Sequence, residues 1–487
     1  MRTQVDKKAD ERRWMILAFL GLAQLMVVLD ATIVNIALPS AQADLGFADD
    51  SRQWIITAYA LAFGSLLLLG GRLSDYFGRK RVLIAGLLGF AGASALGGIA
   101  PGFEVLVGAR SLQGAFGALL APAALSTLTT TFTVPAERAR AFGVYGAIAG
   151  GGGAVGLLLG GVLTEFLDWR WCMFVNVAFA VPAAFGLHGL LDRDRADRGV
   201  RMDIPGAVAA TAGLFGIVFG FSRAEAEGWS AAVTIGSLAA GVILLAVFFL
   251  VERRSAAPLL PPRVLADRNR VGSYLAVGVV GASMFGVFLF LTYYLQQTLE
   301  FAPVETGLAF LPMIAFLMAG SVGSSTRLMP RFGPRPLVPT GMLLSAGGML
   351  WLTGVGVDST YAGAVLPGLC LVGAGFGLVI APSMASATLG VAPRDAGVAS
   401  ATVNTCQQVG GSVGTALLST ISASAVTAFA SDKVPSTELM ARAAVHGYTT
   451  AFWWSAGILA VGALVTAITL RSGVAKAEGE EALALAH

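Results

Sequence analysis

The sequence predicts an all-α integral membrane protein. We expect fourteen spans arranged as two six-helix bundles plus two inserted helices, with both termini cytoplasmic. Three observations carry this. Mean hydropathy is +0.75, with 56% apolar and only 13% charged residues, whereas a soluble domain carries roughly 25% charge. Apolar segments long enough to cross a bilayer, about 20 residues at 1.5 Å each, recur along all 487 residues. Charge alternates as well. Of 32 Lys and Arg, 26 fall in alternate loops, the span ends that border them and the two tails, 5 in the intervening loops, and Arg110 deep inside a span. A miscounted helix would scramble that segregation, so the positive-inside rule places both ends in the cytoplasm.

The first span, 14–38, carries Asp30 and Asn35. Its basic start and the Ser40-Ala41-Gln42-Ala43 run imitate a secretory leader, but its length and its Asp30 mark it as a retained helix. Spans 53–71 and 82–100 enclose a short basic loop, and 103–132 holds Arg110 and Gln113. Span 139–163 is glycine-rich, and 171–191 closes the first bundle. The pair 204–221 and 231–251 follows. The second bundle comprises 271–295, 306–329, 337–356, 364–389, 397–430 and 448–470. The expected organisation is thus an N-terminal bundle over 1–191, a linker with two inserted helices over 192–270, a C-terminal bundle over 271–471 and a cytoplasmic tail over 472–487.

An internal duplication supports the division. Arg72-Leu73-x-x-x-Phe77-Gly78-x-Lys80 recurs 255 residues later as Arg327-Leu328-x-x-x-Phe332-Gly333-x-Arg335. Phe116-Gly117-x-x-x-Ala121-Pro122 recurs 260 residues later as Phe376-Gly377-x-x-x-Ala381-Pro382. Spans 1–6 therefore correspond to 9–14. Two related bundles around a central site are a recurring transporter design.

With these motifs in hand, the chain resembles the major facilitator superfamily. Gly71 through Arg81 looks like its cytoplasmic-loop signature, and Leu29-Asp30-x-Thr32-Ile33-Val34-Asn35 is similar to the first-span signature of its fourteen-helix drug:proton antiporters. Arg110-x-x-Gln113-Gly114, Trp169-Arg170-Trp171-x-x-Phe174-x-Asn176 and Gln296 through Pro312 also read like this family. One feature departs: the fifth-span signature usually carries Gly-Pro, whereas Gly156 is followed by Leu157. The resemblance implies the major facilitator fold, an acid in span 1 for proton or substrate, an arginine in span 4 for coupling, and a loop latch between the bundles.

The residues themselves point the same way. An ionised Asp within a span costs about 2.5–3.5 kcal/mol by insertion scales, so it is expected to be functional. Asp30 lies roughly 10–12 Å below the outer end of its span and Arg110 roughly 10 Å below the same face. At matched depth they can neutralise each other across the cavity, Arg110 freeing the acid for a proton when it withdraws. A static buried pair is the alternative. Asp75, Arg79 and Glu137 are the latch candidates, the second copy having Pro330 in place of Asp75. Gly152, Gly156 and Gly160 form a small-residue stripe suited to close sliding contact between the bundles. Cavity-lining candidates are Asn35, Gln113, Tyr293, Tyr294, Asn404 and Gln407. Cys172, Cys370 and Cys406 read as small core residues.

Several classes are excluded. No Lys follows a Gly anywhere, so there is no P-loop and no ATP-driven pump. Three histidines without HExxH leave neither catalytic nor metal site to expect, and no cofactor. Nothing resembles a channel filter, and scattered basic loops argue against nucleic acid. The expected partners are the bilayer of the cell membrane, a small-molecule substrate and protons, with the chain a monomer. The leading expectation is a proton-coupled exporter of hydrophobic, cationic or amphiphilic drugs by alternating access. The alternatives are a dedicated exporter of one natural product, peptide or siderophore, and a proton-coupled importer, which Leu157 favours slightly.

Overall fold

The computed structural model describes residues 5–48, 51–192, 203–255, 258–389, 391, 396–431, 434 and 436–471. Its helices are α1 (Val5–Leu45), α2 (Gln53–Phe77), α3 (Arg79–Gly98), α4 (Phe103–Thr131), α5 (Pro135–Phe166), α6 (Trp171–Leu190), α7 (Ile204–Glu227) and α8 (Ala232–Arg254). They continue as α9 (Pro262–Leu265), α10 (Arg268–Tyr293), α11 (Pro303–Gly323), α12 (Met329–Phe332), α13 (Pro334–Leu352), α14 (Leu366–Thr388), α15 (Ala396–Ala430) and α16 (Thr437–Thr469). Single π-helical turns occupy Tyr294–Thr298, Ser324–Leu328 and Tyr361–Val365. Strands do not occur among the described residues.

The fourteen longer helices cover the expected spans, but only ten stretches among the described residues are long and apolar enough to cross a membrane by length and composition. Shorter apolar stretches lie at Gln53–Leu67, Gly151–Phe166 and Pro205–Phe221. Proline and arginine at the start of α13 dilute the apolar window of that helix. At the other extreme, α1 runs well beyond the expected 14–38 and passes through Pro39 without breaking. The linker residues 193–202 and the whole tail, 472–487, lie outside the described residues.

The duplication is legible in the packing. In the first half α1 packs on α5 and α6, α2 on α4, α3 on α4 and α6, and α5 on α6. In the second half α10 packs on α15 and α16, α11 on α14, α13 on α14 and α16, and α15 on α16. These are the same six pairings shifted by one repeat. The contacts between halves are related in the same way: α2 lies against α15, and α5 lies against α11. Even the turns match. Gly78, between α2 and α3, has φ +90°, and Gly333, 255 residues later, has φ +71°. A side chain is strained there, which is why the helix-to-helix turn takes glycine in both copies.

Helices α7 and α8 pack on each other, and α7 also rests on α2 and α15. Their attachment is polar at one end. The buried Glu252 accepts from the amides of Leu259 (3.1 Å) and Leu260 (2.9 Å), Asp203 caps α7 through the Gly206 amide, and Arg72 donates to the Pro258 carbonyl.

Candidate functional site

The polar centre of the first bundle is built where α1 meets α3, α4 and α6. Small residues allow the approach. A Cβ on Gly156 of α5 would overlap Thr32 of α1, and one on Gly160 would lie 2.9 Å from Ile33 Cγ1. On α4, a Cβ on Gly114 would overlap the Tyr59 carbonyl of α2. With these backbones close, Arg110 and Gln113, three apart on one face of α4, reach Asp30 of α1.

Asp30 is sealed from solvent, at 0% exposure, as are Gln113 and Asn176, and Arg110 is at 2%. One guanidinium nitrogen, Arg110 Nη1, donates to Asp30 Oδ2 at 2.6 Å and to Gln113 Oε1 at 2.8 Å. Arg110 Nε donates to the Ile55 carbonyl at 3.1 Å, and the guanidinium lies 4.4 Å from the centre of the Tyr59 ring. Asp30 Oδ1 accepts from Gln113 Nε2 (3.0 Å) and Asn176 Nδ2 (2.7 Å). Gln113 Nε2 also reaches Ser94 Oγ of α3 at 2.7 Å. Every one of these partners gives Asp30 a proton-bearing nitrogen, so the arrangement serves the ionised carboxylate. Burying two charges is costly, and it is tolerated where the ions are paired and their remaining hydrogen-bonding capacity is met.

The structure therefore unites Asp30 and Arg110, but inside one bundle in direct contact, where the sequence suggested a meeting across a cavity. Gln113 belongs to the same network. Asn35, 4% exposed, donates to the carbonyls of its own helix at Ala31 and Thr32. Asn404 and Gln407 are half-buried on α15. The Gln407 carbonyl approaches Gly281 of α10, whereas Gln408 Cβ lies 3.0 Å from where a Gly64 Cβ would stand on α2, so the neighbours do face different helices.

Tyr293 and Tyr294 sit at the other end of the contact between halves. Tyr293 donates to Gln42 Oε1 at 2.5 Å and has Arg52 4.1 Å over its ring, whereas Tyr294 donates to the Gly356 carbonyl at 2.8 Å. Two further bonds join the halves nearby: Gln296 Nε2 to the Ile36 carbonyl (3.1 Å) and the Val304 amide to Glu165 Oε2 (3.1 Å). The Trp169-Arg170 pair ties the α5–α6 turn to α1, both side chains donating to Asp44 at 3.0 and 3.1 Å.

Two expectations change. The stripe Gly152, Gly156 and Gly160 faces α1 of its own bundle rather than the other half. Contact with the other half runs through Gly161 and Leu157 of α5. A Cβ on Gly161 would stand 2.7 Å from Val304 Cα, and one on Gly307 would stand 2.6 Å from the Leu157 carbonyl. Helical geometry explains it: residues four apart share one face, and Gly161 starts the next. Among the latch candidates, Glu137 pairs with Arg13 of α1 at 2.8 Å, not with Arg79, because the long α1 brings a guanidinium beside the start of α5. The Asp75 side chain lies outside the described residues.

Sequence reading gave Asn176 no role beyond a motif position and passed over Ser94 and Tyr59. A buried amide inside an apolar span was the available signal for Asn176. Ser94 and Tyr59 carry no such mark.

Comparison with known proteins identifies the family and the fold. The family model for the Major Facilitator Superfamily matches residues 20–415. The chain is 51% identical over 466 residues to puromycin resistance protein pur8 of Streptomyces alboniger, covering 95% of this chain and 92% of that one. It is 41% identical over 405 residues to cephamycin export protein CmcT of Amycolatopsis lactamdurans, covering 82% and 83%. Among solved structures, a bacterial homolog of the human lysosomal transporter Spinster, inward-facing and occupied, superposes with a TM-score of 0.64 at 16% identity over 94% of this chain and 96% of that one. With its array of apolar helices the protein is a multi-pass membrane protein, and it belongs to the Major Facilitator Superfamily.

Proposed function

We propose that the protein is a proton-coupled exporter of hydrophobic, cationic or amphiphilic antibiotics, working by alternating access with fourteen spans and both termini cytoplasmic. The single observation that carries this is the sealed Asp30–Arg110 pair, an acid and a base in contact at 2.6 Å within a membrane-spanning bundle. Such a pair is a two-position device. With Arg110 close, the acid is neutralised and closed to cargo. In a second arrangement Arg110 withdraws and Asp30 faces the space between the bundles, where it takes either a proton or a cationic drug. The bonds from Gln42, Ile36 and Glu165 to the second half form, on this reading, the closed outer gate. The reciprocal α2–α15 and α5–α11 contacts are the surfaces about which the halves rock.

Inverted vesicles with an imposed proton gradient test the proposal, with puromycin and ethidium as cargo. Wild type is expected to release protons when cargo is added, and Asp30→Asn and Arg110→Ala are expected not to. Transport by Asp30→Asn at the wild-type rate overturns the scheme. The two relatives described above are each named for one antibiotic, which favours a second reading, a dedicated exporter of a single natural product. Proton release evoked by only one member of a chemically varied panel selects that reading.

A further inference from the structure

Asp30 has three side-chain partners, and they are not equivalent. Arg110 has donors only. The oxygen of Gln113 is taken by Arg110, and its nitrogen is shared between Asp30 and Ser94. Asn176 differs: its nitrogen donates to Asp30 Oδ1 at 2.7 Å, but its own Oδ1 is buried with no hydrogen-bond partner among the described residues. A carboxyl group that has gained a proton must donate it to an acceptor. In this network the one uncommitted acceptor on a group touching Asp30 is Asn176 Oδ1.

We propose that Asn176 is a positioning residue whose carboxamide reads the protonation state of Asp30, donating through Nδ2 to the carboxylate and, after rotation of its amide plane, accepting through Oδ1 from the carboxyl. The terminal torsion of Asn is soft, and exchanging O for N changes the volume little, so the rotation fits a packed interior. The titratable groups of this neighbourhood are Asp30 on α1 and, within electrostatic reach of Asp30, Arg110 on α4, the Tyr59 phenol on α2 and the Cys172 thiol, one turn before Asn176 on α6. From α3 comes uncharged Ser94, and from α5 the Thr164 hydroxyl beside Cys172. Of these, Asp30 alone is hydrogen-bonded to the amide. The proton comes from a hydronium ion on the open side, whose O–H bond breaks, and adds to the Asp30 Oδ1 lone pair that Asn176 Nδ2 gives up on rotating; no covalent bond in the protein breaks, and the proton returns to water when cargo arrives. This rests on the reading of Asp30 as the proton carrier.

Infrared difference spectroscopy on the full chain in lipid vesicles, with isotope-labelled asparagine and a stepped pH, separates the two ideas. As pH falls, a protonated carboxyl band absent from Asp30→Asn is expected together with a shifted asparagine side-chain carbonyl band absent from Asn176→Thr. The Asp30 band without any asparagine change overturns the proposal while leaving the carrier intact. Absence of an Asp30-dependent band overturns both. In transport assays, Asn176→Leu removes a charge-assisted donor and a weaker neutral acceptor, so its proton-release midpoint is expected to rise by about one pH unit. Asn176→Thr, whose hydroxyl both donates and accepts, is expected to restore it. An unchanged midpoint in Asn176→Leu also overturns the proposal.

Discussion

The two bundles repeat each other in packing and differ in chemistry. α5 lies close to α1 through Gly152, Gly156 and Gly160, and α15 lies close to α10 through Gly410 and Gly414. α4 and α14 each carry Phe-Gly-x-x-x-Ala-Pro and each cross a neighbour at glycine. At the position of Arg110, however, 260 residues on, α14 has Cys370, and at that of Gln113 it has Gly373. The buried side chains of α14 are apolar, glycine, proline or serine, whereas α4 buries an ion. Backbone geometry is therefore common property, and charge belongs to one half. Under the proposed scheme both bodies need rigidity, but only one needs a titratable group.

Changes to the charged core probe that asymmetry hardest. Removing one member of a buried pair strands the other, so Arg110→Ala is expected to lose about 3–5 kcal/mol of stability together with transport. The matching Cys370→Ala is expected to lose only about 1 kcal/mol. Thermal melting in detergent measures both, and equal losses would erase the contrast. The shared packing predicts the opposite pattern. Gly156→Val and Gly414→Val overpack equivalent crossings, and each is expected to cost about 1–3 kcal/mol in the same assay. A loss in one bundle only would show that the crossings are not equivalent.

Smaller effects belong to the contact between the halves. Tyr293→Phe deletes the bond to Gln42 and is expected to weaken that contact by about 1 kcal/mol, seen as faster hydrogen exchange in the last turns of α1. Glu165→Gln keeps the shape but removes a charge beside the first amides of α11, a helix-terminus effect of about 0.3–1 kcal/mol. Its signature is a slight rise in exchange at the start of α11 relative to wild type, a difference that added salt shrinks.

What the linear chain determined was whatever depends on local composition and spacing. Hydropathy marked the helices, two motif repeats exposed the duplication later seen in six repeated pairings, and an acid inside an apolar run singled out Asp30. Matched depth along opposed helices was enough to pair it with Arg110. Only the tertiary structure decided the rest, because rotation about a helix axis and the distance between helices are set by packing between distant segments. Thus Gly156 faces α1 while neighbouring Leu157 touches α11, Glu137 takes Arg13 rather than Arg79, and Asn176, 146 residues from Asp30, completes its hydrogen bonds. A side chain's partner across such a gap leaves no periodic trace in the chain.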